Sequence, residues 1–275
     1  MKGMFWEDGI LKISFVTDEH FPVQSDEAIE WRFEQIEQFK PHIVWFGGDV
    51  YDGEAWSRWD QKNWSQYEEY VKTAEYFQRY NDMDFIKKKV WMYGNHEHNR
   101  TQPGRLKKSQ LELLDWESFA PPGKLALRDV VQDWRIIKDY GSDVYRSIGP
   151  IAFTHGTRLG LKAAEGEADY FAPHMGLCLS GHTHKPVPVT RAMRNGGVPA
   201  DYWFANAGTA MCPKLADYMG RANRQGWGCG IVNIEVHSKD ATLYSEGRKV
   251  FRTKIWEAET KIRGIYRDVI HGRVS

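Results

Sequence analysis

No stretch of this 275-residue chain approaches the run of about 18 apolar residues that a membrane-crossing helix requires, and a spanning protein is not expected. Cysteine is scarce. Cys178, Cys212 and Cys229 are odd in number and show no close pairing, so they suit neither a disulfide framework nor a zinc-ribbon spacing, and a reducing compartment is the expectation. The amino terminus has no apolar signal core, because Trp6-Glu7-Asp8-Gly9 leads almost at once into a strand-like run; a cytoplasmic protein is expected. An excess of either charge is missing too: Lys plus Arg and Asp plus Glu stand at 37 each, which argues against a chain dominated by nucleic-acid binding. No internal repeat, linker or low-complexity segment interrupts the sequence. Aromatic residues, by contrast, make up 14%, with twelve Trp, and a disordered chain is excluded. The expectation is a single domain over residues 1–275, with a helical insertion at 53–88 and a tail at 256–275.

Strand-like and helix-like runs alternate along the first half. Ile10 to Thr17 is rich in β-formers and stops at Asp18. Ser25, followed by Asp26 and Glu27, marks a helix start; Ile29, Phe33, Ile36 and Phe39 fall at helical spacing, and Pro41 ends the element. His42 to Phe46 is a second strand. A strand–helix–strand order implies a parallel pair whose carboxyl ends share one edge, which brings Asp18 and Asp49 together. Ala55 to Asn81 has helical character, Lys89 to Tyr93 is a strand, and Ser109 with Glu112 forms a capping box for a helix closing before Pro121-Pro122. Asp129 to Thr154 reads as a meander of short strands and Ala163 to Phe171 as a helix. Gly176 to Ser180, Trp203 to Ala207 and Gly230 to Val236 read as strands, the last turning at Ser238-Lys239-Asp240 into a further strand, and Trp256 to Ile270 as a terminal helix.

Chemistry-bearing residues gather where the strand-like runs end. In order these are Asp18-Glu19-His20, Gly48-Asp49-Val50-Tyr51-Asp52, Gly94-Asn95-His96-Glu97, His155-Gly156 and Gly181-His182-Thr183-His184. Carboxylate, amide oxygen and imidazole are the donors that hard-to-borderline divalent metals prefer. Any one of these could be bland. His182 and His184 alone fit one face of a surface strand, and Asp49 or Asn95 alone fits a turn. Their succession at strand ends is what favours a metal site.

The motif order D-x-H, GDxxD, GNH[D/E], H-G and GHxH resembles the calcineurin-like metallophosphoesterase superfamily over residues 18 to 184. Asn206-Ala207-Gly208-Thr209 and Gln225-Gly226-Trp227-Gly228 extend the likeness to a phage and bacterial subgroup. The resemblance implies an α/β fold, a four-layer αββα sandwich of two mixed β-sheets flanked by helices. It implies two divalent metal ions, Mn²⁺ first, with Fe, Zn or Ni also suited. One would take Asp18, His20 and His184, the other Asn95, His155 and His182, with Asp49 bridging. A bridging water, acidified by the metals, would attack the phosphorus of a phosphomonoester or phosphodiester. His96 would assist the leaving group and Glu97 would orient it. Asp52 would fix a loop. The superfamily often continues GDxxDR; here Gly53 replaces the Arg, and Arg100 and Arg158 are candidate substitutes.

Two other functions compete with a metal-dependent phosphoric ester hydrolase. A DNA or RNA nuclease of the Mre11 type shares the Gly-Asp-x-x-Asp motif, but the chain is short for the capping domain of those enzymes and its charge is balanced, so nucleic acid is the less favoured partner. A non-catalytic binding scaffold would be expected to lose His96 or several ligands, and none is lost. A tryptophan- and tyrosine-rich stretch from Trp56 to Tyr70 suits a packed helix face better than base stacking.

Overall fold

The computed structural model describes residues 10–53, 66–101, 120–148, 151–160, 162–171, 176–194, 198–212, 226–237, 241–245, 249–253, 262–268 and 273–274. The first strand, β1 (Ile10–Val16), is joined by helix α1 (Asp26–Phe39) to β2 (Ile43–Phe46), and β1 and β2 run parallel with Val16 opposite Phe46. α1 starts where its sequence says it should. The Ser25 hydroxyl accepts from the Ala28 amide, and Asp26 and Glu27 complement the positive end of the helix. It ends at Lys40, whose left-handed backbone (φ 52°) returns its N–H to the Ile36 carbonyl before Pro41 stops the helix. Helix α2 (Gln66–Asn81) leads to β3 (Lys88–Met92), again parallel to β2. Among the described residues three further short helices follow: α3 (Asn95–Thr101), α4 (Leu127–Val130) and α5 (Ala163–Phe171).

Two mixed sheets carry the molecule. The larger has the order β14-β13-β10-β1-β2-β3-β4, with β4 (Arg135–Ile137), β10 (Cys229–His237), β13 (Ile262–Asp268) and β14 (Arg273–Val274). The smaller has the order β5-β6-β7-β9-β8, built from β5 (Arg146–Ile148), β6 (Ile151–Phe153), β7 (Leu177–Ser180), β8 (Val187–Arg194) and β9 (Val198–Asn206). Between them lies an apolar layer in which Ile13, Phe15, Trp45, Val90 and Ile234 meet Ile151, Phe153, Leu179 and Trp203. Trp45 and Phe153 stack across it with ring centroids 4.0 Å apart. The outer face of the larger sheet is covered by α1, α2 and α4 through Phe33, Phe46, Phe77, Tyr80, Trp91 and Leu127. Helix α5 covers the smaller sheet through Ala164, Ala168 and Phe171 against Cys178 and Phe204. Helix, sheet, sheet and helix make the four layers. Because β2 and β7 are covered on both faces, every residue in each is buried, which is why they read as unbroken apolar runs.

Two expectations need correcting. The stretch from Asp129 to Thr154 is not one meander: β4 joins the larger sheet parallel to β3, while β5 and β6 pair antiparallel in the smaller one. Short strands do not reveal which sheet they join, since a crossing and a hairpin look alike in sequence. The terminal helix expected from Trp256 to Ile270 is instead β13 over its described part, antiparallel to β10, whose free edge it completes. The strand expected after Ser238-Lys239-Asp240 is present as β11 (Ala241–Ser245), and it pairs antiparallel with β12 (Lys249–Thr253). The helix expected from Ser109, the segment from Trp56 to Trp64, Gln225, His174 and His271 lie outside the described residues. Tyr70, from the aromatic stretch, is buried in the core beneath α2.

Candidate metal centre

Five parallel strand ends converge at one edge of the sandwich. β1, β2 and β3 deliver Asp18, Asp49 and Asn95, and β6 and β7 of the other sheet deliver His155 and His182 with His184. Such an edge is where ligands bind in open α/β sheets. The loops there are stitched as closely as the strands. Asp18, His20 and Phe21 donate backbone N–H groups to the carbonyls of Gly48, Asp49 and Val50, and Gly181 donates to His155.

That stitching holds the site residues in an unfavourable backbone conformation. Asp18 (φ 56°), His20 (φ 55°), Asp49 (φ 53°), His182 (φ 70°) and His184 (φ 60°) are all left-handed. Each such residue costs on the order of 1–3 kcal/mol, and a run of them persists only where surrounding contacts over-determine it. Among the described non-glycine residues the remaining left-handed one is Lys40, the end of α1. The strain is concentrated on the side chains that converge.

Asp18, His20 and His184 form one group. The Nε2 atoms of His20 and His184 face each other at 3.0 Å, and Asp18 Oδ1 lies 3.2 Å from His184 Nε2 and 3.8 Å from His20 Nε2. Asp49, His155 and His182 form a second group. His155 Nε2 is 3.1 Å from both Asp49 Oδ2 and Asn95 Oδ1. Asp49 Oδ2 also lies 4.0 Å from His20 Nε2 and 3.9 Å from His96 Nε2, so the Asp49 carboxylate stands between the two groups. His20, Asp49 and His96 satisfy the same spacing as a third set.

The donor set fits cations. His20 Nδ1 is committed to Asp52 Oδ1 at 2.8 Å, and His155 Nδ1 donates to the Gly47 carbonyl at 2.8 Å. Each commitment leaves a lone pair on Nε2 that faces other electron-rich atoms in a buried space, an arrangement that calls for a positive charge. A proton takes that place in the metal-free protein. Burial pulls the His155 imidazolium down, but the Asp49 carboxylate outweighs it and holds the pKa up at about 9. His20 is likewise raised: burial opposes it, while Asp18 and Asp52 favour the cation. His182 moves the other way, to about 4, through burial and the neighbouring charge of His155. For Asp18, burial would raise the carboxyl; hydrogen bonds from His184 and His20 hold it well below its ordinary range.

The outer partners explain the positions. Glu97 is fully buried and does not sit behind the His96 ring; its oxygens accept from the backbone N–H groups of Asp49 (2.9 Å), Val50 (2.7 Å) and Gly94 (2.8 Å). It is a positioning residue for the Asp49 loop. The role expected of it, orienting His96, falls to Asp52: the His96 Nδ1–H donates to the Asp52 carbonyl oxygen. Gly94 is required here, because a Cβ at that point would run into the Asp49 carboxylate. A Cβ on Gly181 would similarly strike Thr17 and Asp18.

Arg32 and Glu167 carry no motif and were missed in the sequence, while Asn206 and Thr209 stood there only as part of a likeness, with no role. Arg32, buried on the inner face of α1, donates to Glu19 Oε1 (2.7 Å), the Thr17 carbonyl (2.9 Å) and the Gly230 carbonyl (3.1 Å). Glu167 on α5 accepts from the N–H groups of Thr157 and Arg158 and so fixes the turn after His155. Thr209 donates to the Asp18 carbonyl at 2.6 Å, and the Asn206 amide donates to the Gly181 carbonyl at 2.6 Å, tying both His-bearing loops to the end of β9. The only sequence signal for Arg32 was a charge at an apolar helical position. Arg158 packs against Gly166 of α5, and the side chain of Arg100 lies outside the described residues. Among the other histidines, His42 is buried and accepts from the Lys12 N–H, and His98 stands beside Tyr140.

Comparison with known proteins gives the following. Residues 11–186 match the family model described as calcineurin-like phosphoesterase. No curated protein matches. The structure is similar to vacuolar protein sorting 29 from Cryptosporidium parvum, at 13% identity and TM-score 0.45, covering 94% of this chain and 100% of that one. It is similar to YfcE, a phosphoesterase from E. coli, at 16% identity and TM-score 0.39, covering 86% and 97%. A wild-type Vps29 complexed with Zn²⁺ from Entamoeba histolytica gives 11% identity and TM-score 0.38, covering 94% and 99%.

Proposed function

Since the chain belongs to the calcineurin-like phosphoesterase family, we propose that it hydrolyses a phosphomonoester or phosphodiester with the help of two divalent cations. The observation that carries this reading is the double convergence on Asp49, whose Oδ2 faces His155 Nε2 at 3.1 Å and His20 Nε2 at 4.0 Å. Asp18, His20 and His184 would hold one ion and Asn95, His155 and His182 the other, with the Asp49 carboxylate shared. When bound, such a pair supplies positive charge for the phosphoryl oxygens and acidity for the attacking water. Manganese is the first choice, and the mixed oxygen and nitrogen donors also suit iron, zinc and nickel.

The chain's own residues do the rest. The shared carboxylate between two positive centres offsets their repulsion, and the imidazoles add no negative charge, so the site as a whole attracts phosphate. His96 is not fully buried, and its Nδ1 is engaged by the Asp52 carbonyl. That leaves Nε2, beside Asp49, as the atom that gives a proton to the leaving oxygen or a hydrogen bond to the phosphoryl group.

Protein stripped of metal should gain hydrolysis of bis-p-nitrophenyl phosphate when Mn²⁺ is added. His96→Ala should then lower turnover by about 10²- to 10⁴-fold with unchanged metal content. Wild-type turnover in that variant removes His96 from the chemistry. No gain with any first-row dication removes the hydrolase and leaves a metal-binding scaffold.

A further inference from the structure

The members of the metal centre are not equally enclosed. Asp18, His20, Asp49, His155 and His184 are buried, whereas Asn95, His96 and His182 are partly open, so a ligand reaches the cluster over that rim. One side chain outside every motif stands on the same rim. Tyr140, in the loop that leaves β4, is half-buried, with its ring centroid 5.8 Å from that of His155 and 5.5 Å from that of His98. Against His155 it is edge-on, at an interplanar angle of 62°. Its hydroxyl makes no hydrogen bond among the described residues. A phenol that is partly removed from water and left without a partner is poised to take one from a ligand.

We propose that Tyr140 is a substrate-binding residue whose phenol O–H donates a hydrogen bond to a phosphoryl oxygen held at the Asn95–His155–His182 half of the centre. The inference rests on the phosphoesterase reading and deepens it. The turn after Asp52 has Gly53, which carries no side chain with which to grip phosphate, so a donor must come from elsewhere. Tyr140 supplies one from the loop after β4, at the same carboxyl edge of the larger sheet. A phenol keeps its proton at neutral pH, which makes the group a donor. A hydrogen bond to an anionic oxygen is among the stronger ones a neutral side chain makes.

The alternative is that the ring only buttresses His155. Tyr140→Phe separates the two, because it keeps the ring and deletes the oxygen. With Mn²⁺-loaded protein, calorimetric titration with inorganic phosphate should show affinity lowered by about 10- to 100-fold in the variant. The Mn²⁺ affinity should stay at the wild-type value, and kcat/KM for bis-p-nitrophenyl phosphate should fall in parallel with phosphate affinity. Unchanged phosphate affinity overturns the proposal. So does a loss of Mn²⁺ affinity in Tyr140→Phe, which would make Tyr140 a support for His155. If the wild type binds phosphate and the variant binds it more weakly, but neither turns over any ester, the contact stands and the hydrolytic reading falls. If the Mn²⁺-loaded wild type binds no phosphate at all, both fall.

Discussion

A buried carboxylate that accepts several backbone amides fixes a loop, because each N–H it takes would otherwise be stranded away from water. Glu97 does this for the turn carrying Asp49 and Gly94. Glu97→Gln turns an amide NH₂ toward at least one of those N–H groups, so stability should fall by about 2–3 kcal/mol in a urea titration and Mn²⁺ should bind more weakly. A variant as stable as the wild type would show that the turn holds itself. The histidines give a prediction in pH. His155 is raised to about 9 in the metal-free protein, above its ordinary 6.5. Its contribution to metal-free stability is therefore complete below about 6.5 and is lost as pH rises through about 9. A bound cation must displace the same proton, so Mn²⁺ affinity should climb with pH up to about 9, and binding at pH 7 should release protons into weakly buffered solution. A flat affinity between pH 6 and pH 9 would contradict this. The strand–helix–strand order pointed to Asp18 and Asp49 as neighbours, and the family resemblance joined His155 to them, but neither pointed to Glu97 as an amide acceptor. A Glu beside a His reads the same whichever way its side chain turns.

Helix α1 serves the site as well as the core. Its buried face carries Ala28, Ile29, Phe33 and Ile36, and among them Arg32, which reaches back to the Asp18-Glu19-His20 loop. Burial raises the Glu19 pKa to about 7 despite the Arg32 charge beside it, so the pair needs both members. Arg32→Met should destabilise the protein by about 3–5 kcal/mol by leaving Glu19 buried and unpaired. Arg32→Met combined with Glu19→Met should recover most of that loss, measured as a double-mutant cycle in urea. Additive effects would show that the pair is not a unit. The bounds of α1 and α5 were legible because caps and apolar spacing are local. The pairing of β4, β11 and β13 was not, since strand partners are chosen by edges the local sequence does not contain.

At the scale of the whole molecule, the centre spans the junction of two sheets that pack across an apolar layer. Asp18, Asp49 and Asn95 come from one, His155, His182 and His184 from the other. A cation bound across that junction stabilises the folded chain alone. At 100 times its dissociation constant it should add about 2.7 kcal/mol and raise the midpoint of thermal unfolding, and chelation should reverse the shift. No shift with any dication would count against a preformed centre. Among the described residues, no helix is long and apolar enough to cross a membrane. The sequence by itself determined the alternation of strands and helices, the strand ends and the kinds of donor placed there, because each depends on local periodicity and residue chemistry. Only the tertiary structure decided which donors face one another, that their backbones would be left-handed, and that Arg32, Glu97, Glu167 and Tyr140 would gather around them. Those outcomes depend on two sheets packing face to face, and contacts between residues far apart in the chain leave no periodic trace in it.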